Sequence, residues 1–421
     1  MKKNILVFPC GSEIGLDIYQ QVKYSTYFHL IGGNSTDDHG KYTYDDYIGN
    51  IPFVGEADFL PILKKIISSR KIDAIYPTMD SVIAYLKHNE SILGCKIIAA
   101  PALTNNICLS KELTYRKLKN VIQIPALYNI NDSFNYPVFV KPKIGYGARG
   151  AKIIHNDKEL LAIENLNSHL ILEYLPGEEY TVDCFTNRHG ILLFCAARTR
   201  SRIRMGISVN TSFVEDQEEF VELAKAINKK LRFRGAWFFQ IKRNKTGQAV
   251  LLEVATRFGG SSLICTAVGV NFPLLTLFDA FDYDVKIIPN KHHAILERSF
   301  STKCIIDIKY STVYVDFDDC ILLNNNQINT KLVTFLYNCV NKGIKLILLT
   351  KHQGDLQQKL QQFRLYYIFD EIIHIKPEEE KYSYIKETEA IFIDDSFAER
   401  EKIYKHTGTT VFSPETIEFF L

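Results

Sequence analysis

From residue 1 to about 105, short unbroken apolar runs alternate with stretches of helical periodicity. Residues 5–8 and 74–77 read as strands, each followed by a helix: one from about Ser12, the other with an apolar face of Val82, Ile83 and Leu86. A further strand is predicted over 97–100. Apolar runs separated by helices predict a parallel, doubly wound α/β sheet. From about 106 to 300 the texture becomes α+β, with strands predicted over 137–141, 170–173, 181–185, 236–241 and 250–254. A third βα run starts at 313–316 and continues through 344–350, 371–375 and 390–394. The expected organisation is therefore multidomain, 1–106, 107–304 and 305–421, without internal repeats; no Pro/Gly/Ser linker marks the last boundary.

Composition narrows the function classes. The chain has 421 residues, 46% of them hydrophobic, and 50 basic against 48 acidic residues for a formal charge of +2. A chain this apolar folds, and its balanced charge gives no reason to expect nucleic acid or anionic lipid. The nine cysteines include no Cys-x-x-Cys pair, which argues against a disulfide framework or a zinc site and fits a reducing, cytoplasmic setting. Lys2 and Lys3 lead straight into an ordinary strand too short for a secretory core. Residues 259–278 carry no charge, but Gly259, Gly260, Gly269, Asn271 and Pro273 make a buried loop and helix pair the expectation, with no membrane insertion.

Several segments carry chemistry. The strand ending at Lys141 runs into Pro142-Lys143-Ile144-Gly145-Tyr146-Gly147-Ala148-Arg149-Gly150. Glycines let backbone N–H groups approach phosphate oxygens, and Lys and Arg neutralise them. Taken alone, such a turn is common in hairpins, and its spacing matches neither a Walker A loop nor a Rossmann fingerprint. Glu173-Tyr174-Leu175 offers extended backbone to an adenine edge, and Glu179 a carboxylate to ribose hydroxyls. Gln240 and Glu253, on strands expected to form a hairpin, are hard oxygen donors of the kind magnesium accepts. Arg257 just beyond can hold a transferring phosphoryl group. Arg198, Arg200, Arg202 and Arg204 would share one face of a single strand, suited to a carboxylate substrate; the plainer reading is a solvated basic strand. Ser12 lies in a strand-to-helix turn able to bind an anion. Asp80, expected at the end of a strand on the same edge, can meet an amine, whereas Cys10 reads as a packed small residue.

Taken together, these segments resemble the ATP-grasp superfamily, in particular its carbamoyl-phosphate-synthase-like carboxylate–amine ligases, over roughly residues 1–300. The resemblance implies a Rossmann-like pre-ATP-grasp domain followed by an ATP-grasp fold. It makes Lys111 and Lys141 phosphate-binding lysines, and Lys143, Gly145, Gly147, Arg149 and Gly150 part of a phosphate-covering loop. Glu173, Tyr174 and Leu175 become the adenine hinge, Glu179 the ribose carboxylate, Gln240 and Glu253 metal ligands and Arg257 catalytic, with Arg202, Arg204, Ser12 and Asp80 facing substrate. The implied cofactors are ATP and Mg2+, which Mn2+ can replace. The sequence departs from the family at Ala255, where an asparagine commonly follows the glutamate at this spacing; alanine cannot ligate.

The last segment has a second constellation. Asp316 and Asp318 follow a buried strand, Thr350 ends the next, and Asp394 and Asp395 end a later one, with Lys376 and Lys381 between. In a parallel sheet these strand ends meet at one edge, where so many carboxylates require a divalent cation and a lysine. This set resembles the haloacid-dehalogenase-like (HAD-like) phosphatases over about residues 312–421, as a small capless parallel-sheet domain. The resemblance makes Asp316 the nucleophile, Asp318 the general acid–base and Thr350 the phosphate-holding hydroxyl. It also makes Asp316, Asp318, Asp394 and Asp395 the magnesium side. Lys381, expected to open a helix through Ile385, is favoured as the lysine, with Lys376 the alternative; Cys320 stands where the family has threonine. The whole chain then reads as a ligase coupled to a phosphatase, in surface-polysaccharide or small-metabolite biosynthesis. Its partners would be small-molecule carboxylate and amine substrates and a phosphorylated metabolite, with homo-oligomers allowed. The rival readings are a non-catalytic ATP sensor and a ligase carrying an inactive scaffold domain.

Overall fold

Runs apolar on both faces build the centre of the first sheet: Ile5, Leu6 and Val7 of β1 (Lys3–Phe8) and Ile75 of β4 (Ala74–Pro77) are wholly buried. With β2 (Phe28–Gly33), β3 (Tyr47–Ile48) and β5 (Lys96–Ile97) they pair in parallel in the order β3-β2-β1-β4-β5. The winding direction reverses at β1, so the crevice beyond the ends of β1 and β4 is the switch point. β5 is shorter than the predicted 97–100. The Ile98 N–H makes a last bond to the Ile75 carbonyl at 2.9 Å, and Pro101 then caps the helix Ala102–Leu109.

The structure, a computed structural model, describes residues 2–145, 147, 149–204, 206–299, 304, 306–323 and 326–421. The chain divides into two compact units, Met1–Phe300 and Ser301–Leu421. The sheet of β1–β5 lies within the first of these.

Two antiparallel sheets complete the working part of that unit. β6 (Leu127–Tyr128), β7 (Val138–Pro142), β8 (Lys152–Ile154) and β9 (His169–Glu173) pair in the order β6-β9-β7-β8. β10 (Glu179–Thr186), β11 (Leu192–Thr199), β14 (Gly235–Arg243) and β15 (Ala249–Ala255) pair as β11-β10-β14-β15. β12 (Arg202–Arg204), β13 (Ile207–Ser212) and β16 (Ile295–Glu297) form a smaller third sheet. Strand alternation sorts the second sheet into two faces. Val182, Cys184, Trp237, Phe239, Ile241, Leu251 and Val254 enter one hydrophobic core. The opposite parity carries Glu179, Thr181, Gln240, Lys242 and Glu253, through the pairs Glu179↔Lys242, Thr181↔Gln240 and Gln240↔Glu253. Residues 259–278 form a loop, a short helix Ile264–Ala267 and the helix Phe272–Ala280. No described helix is long and apolar enough to cross a membrane.

The arginine run does not form one strand. β11 ends at Thr199 and β12 begins at Arg202, so the expected common face does not exist. Arg198 is buried against Asp183 at 2.6 Å, Arg200 sits in the connection against Glu179 at 2.7 Å, and Arg202 is paired with Glu297.

In the second unit, β17 (Thr312–Val315), β18 (Lys345–Thr350), β19 (Glu371–His374), β20 (Ala390–Ile393) and β21 (Thr410–Phe412) pair in parallel as β19-β18-β17-β20-β21. Lys381 opens only a 3-10 turn, Lys381–Tyr384, instead of the expected helix through Ile385.

Candidate functional site

A cavity of about 250 Å³ opens between the two four-stranded antiparallel sheets of the first unit. Phe139, Leu172, Leu175 and Leu252 give it apolar walls; Glu173, Glu179, Gln240 and Glu253 give it oxygen donors; Lys111, Lys141, Arg149, Arg200 and Lys242 give it positive charge. Tyr174, Gly145 and Gly147 also line it.

Lys141 is the centre of this arrangement, and a β-bulge explains how it is held. The β14–β15 register passes from Gln240↔Glu253 to Ile241↔Leu251, leaving Leu252 as the extra residue. An extra residue has no ladder partner, and the Leu252 carbonyl accepts the Lys141 ammonium at 2.9 Å and the Tyr115 hydroxyl at 2.8 Å. The ammonium also lies 5.3 Å from the centre of the Tyr115 ring. Burial pushes the Lys141 pKa down to about 8, with Glu253 pulling up and Lys111 pushing further down. A buried lysine beside a second cation is a site prepared for an anion.

The remaining predicted residues divide. Lys111 opens the helix Lys111–Leu118 and donates to the Gly145 carbonyl at 2.9 Å, tying helix to loop. Lys143 pairs with Glu112 at 3.2 Å and, like Gly150, is not among the described lining residues. The loop expectation over 145–150 also includes Tyr146 and Ala148, which lie outside the described residues. Arg257 makes a two-point pair with Asp80, Nε at 3.0 Å and Nη2 at 2.9 Å, and its guanidinium lies 5.6 Å from the Phe238 ring centre. Asp80 is the first residue of the helix Asp80–His88, not the end of a strand. Ser12 caps the helix Glu13–Val22, accepting from the Gly15 N–H at 3.0 Å, and donates to Thr78 at 2.8 Å. Its hydroxyl is thus a structural cap, not a free anion ligand. Arg202 and Arg204 are exposed on β12 and do not line the cavity. Sequence reasoning put Arg200 in a carboxylate-facing run instead of this wall, and passed over Lys242. Lys242 stands two positions beyond Gln240, so strand alternation puts both on one face, and that spacing was the signal for it.

The second unit gathers its own group at the ends of β17, β18 and β20. Lys381 lies 2.9 Å from Asp316 and 2.6 Å from Asp394, all three nearly inaccessible. Burial works against the Lys381 charge, but Asp316 and Asp394 outweigh it and raise its pKa. Lys376 is exposed and bonds through its backbone to Glu379. The Thr350 hydroxyl is buried with no hydrogen-bond partner among the described residues, an orphan in need of a ligand. Donor atoms of Asp316, Asp395 and Cys320 lie within 4.8 Å of one another, close enough to hold one ion. Of the expected ligands, Asp316 and Asp395 are the two in this group. Asp394 is taken by Lys381 and the Ser396 N–H, and the Asp318 carboxylate is turned to His352, whose Nδ1 lies 2.9 Å from both its oxygens. Cys320 instead accepts from the Asp395 N–H at 3.0 Å. His352 was not anticipated; it stands two residues beyond Thr350 at the same strand end.

Residues 165–299 match a family described as ATP-grasp in the biosynthetic pathway with Ter operon. A D-alanine–D-alanine ligase of Thermotoga sp. (strain RQ2) is 23% identical over 172 residues, 38% of this chain and 56% of that ligase, so little more than half of the relative is spanned. Among solved structures, the biotin carboxylase domain of Hydrogenobacter thermophilus 2-oxoglutarate carboxylase, in complex with MgADP, ADP and bicarbonate, has a TM-score of 0.58 at 17% identity, covering 70% of this chain and 74% of that one. The L-amino acid ligase of Bacillus licheniformis has a TM-score of 0.56 at 16% identity, covering 67% and 74%. The solved structures share the mixed α/β fold of this chain, and the ATP-grasp match is confined to residues 165–299.

Proposed function

We propose that the first unit is an ATP-dependent carboxylate–amine ligase working through an acyl phosphate, and that the second is a magnesium-dependent phosphomonoesterase. What carries the ligase reading is Lys141, buried on a bulge carbonyl in a cavity ringed by four further cations. Purine fits against Phe139, Leu172 and Leu252, its edge against the backbone of Glu173, Tyr174 and Leu175, and ribose hydroxyls against Glu179. Lys111, Lys141 and the backbone at Gly145, Gly147 and Arg149 meet the phosphates. Gln240 and Glu253 are the oxygen donors suited to Mg2+, which when bound draws charge from the phosphate oxygens.

A carboxylate resists an amine because oxide is a poor leaving group. Transfer of the γ-phosphoryl group to a carboxylate oxygen breaks its bond to ADP and forms the acyl phosphate. The amine nitrogen then attacks the carbonyl carbon, loses a proton and expels inorganic phosphate. The protein's part is positioning and charge neutralisation. The named activity of the Thermotoga relative and that of the Bacillus structure favour amino acids as substrates.

In the second unit Asp316 would attack phosphorus, Thr350 and Lys381 hold the phosphate, and Asp318, oriented by His352, give a proton to the leaving oxygen. Asp316, Asp395 and the bound ion complete the site, and the substrate would be a phosphorylated metabolite. The test of the ligase is ADP release with ATP, Mg2+ and pooled amino acids, which Lys141→Ala should eliminate. Nucleotide binding without acid-dependent turnover would favour a sensor, a reading that Ala255 recommends. Hydrolysis of p-nitrophenyl phosphate retained in Asp316→Asn would overturn the phosphatase.

A further inference from the structure

The cavity's oxygen donors are fewer than its size suggests. Glu173 turns to the backbone, accepting the Ala126 N–H at 3.3 Å. Glu179 is engaged by Arg200, whose Nε lies 2.7 Å from Oε1. Glu253 is left as the lining carboxylate with no ion pair or hydrogen bond among the described residues, and its cross-strand neighbour Gln240 is a neutral amide. Two residues on, the same face presents Ala255 opposite Phe238, so the sheet is apolar where another donor would stand. Each Mg2+ needs about six oxygens and adds two charges, here beside Lys111, Lys141, Arg149, Arg200 and Lys242. Arg200 is fixed at further points: its Nη1 donates to Thr181 at 3.2 Å and its Nη2 to the Gly206 carbonyl at 2.9 Å.

We propose that this pocket takes a single divalent ion with its nucleotide, held by Glu253 and Gln240, and that the buried Arg200 guanidinium is the fixed cation standing in for a second one. The inference rests on the nucleotide reading above and adds a metal count and a phosphate-side residue to it. Being always charged and already anchored, Arg200 loses little freedom when phosphate arrives.

The test counts ions by spectroscopy. Full-length protein carrying Asp316→Asn and Asp395→Asn, which disable the metal position of the second unit, is titrated with Mn2+ and the β,γ-imido analogue of ATP, and followed by electron paramagnetic resonance. One nucleotide-dependent Mn2+ per chain, without the broadening of a coupled pair, is expected. Ala255→Asp combined with Arg200→Gln should admit a second, coupled ion. Arg200→Gln alone should weaken the analogue about tenfold at fixed Mn2+, with Arg200→Lys recovering part of the loss. Two coupled ions in the parent protein, or unchanged affinity in Arg200→Gln, would overturn the inference while leaving the nucleotide site standing. Failure to bind the analogue at all would overturn both.

Discussion

The protein contains two five-stranded parallel sheets wound in the same order, β3-β2-β1-β4-β5 and β19-β18-β17-β20-β21, and they treat their strand ends in opposite ways. Beyond β1 and β4, Ser12 caps a helix and bonds Thr78, and Asp80 is closed by Arg257 in a two-point pair. Those polar groups are committed to structure or to one another. Beyond β17, β18 and β20, Asp316, Asp394 and Lys381 are packed together almost without solvent, and the Thr350 hydroxyl has no partner among the described residues. One winding order supplies an edge in both cases. Whether that edge is reactive depends on whether its polar groups are already satisfied.

The comparison breaks most easily at Asp316. If the second edge is the reactive one, Asp316→Asn should lower hydrolysis of p-nitrophenyl phosphate by about three orders of magnitude or more, since a lost nucleophile is not replaced by its neighbours. A loss under tenfold would make the crowded carboxylates a structural feature. The next largest effect belongs to the first unit, where the reactive groups are not at the parallel edge but in the antiparallel cavity. Lys141→Met should weaken ADP about a hundredfold by calorimetry, the scale of a lost buried charge-assisted contact. An unchanged ADP affinity would remove the reason to seek the site there.

Most strand positions were legible because apolar runs and alternation report burial directly: β7, β9, β10, β14 and β15 each overlap their predicted spans. Asp316 and Thr350 could be placed at one edge because each ends an unbroken apolar run, whereas Lys381 follows a charged stretch and its place beside them was not fixed by periodicity. The arginine run could not, since alternating charges at 198–204 have the same spacing on one strand as on two strands joined by a turn, and only the partners Asp183, Glu179 and Glu297 distinguish the cases. The Leu252 bulge was equally hidden, because one extra residue in a hairpin leaves the hydrophobic pattern nearly unchanged. Asp80 was misplaced for a related reason. The chain turns from strand to helix within three residues after Pro77, too short a span for periodicity to resolve.

A smaller effect follows from the Lys141 environment. Burial places its pKa at about 8, and an anionic phosphate tail binds the protonated form. Raising the pH through 8 therefore removes charge from the free protein, and ADP affinity should fall towards tenfold per pH unit above that point. Measurement in EDTA excludes metal titration, and the slope should vanish in Lys141→Met. A flat profile from pH 7 to 9.5 in the parent protein would mean that another cation governs the tail.

The smallest effect tests the two sheets at equivalent helix caps. Ser12 accepts the Gly15 N–H at 3.0 Å and donates to Thr78 at 2.8 Å, whereas Ser396, beyond β20, accepts the Glu399 N–H at 3.4 Å. Alanine removes either cap, at a typical cost of about 1 kcal/mol, which corresponds to roughly fivefold in local opening. The shorter bond and the extra partner should make Ser12→Ala the costlier change, seen as faster amide hydrogen exchange at Gly15 than Ser396→Ala produces at Glu399. ADP affinity and phosphate-ester hydrolysis should stay as in the parent protein for Ser12→Ala, because its hydroxyl is committed to the helix. If the substitution instead weakened an anion or a substrate while exchange at Gly15 stayed slow, the first sheet's edge would be a binding edge after all, and the contrast with the second would shrink to a difference of ligand.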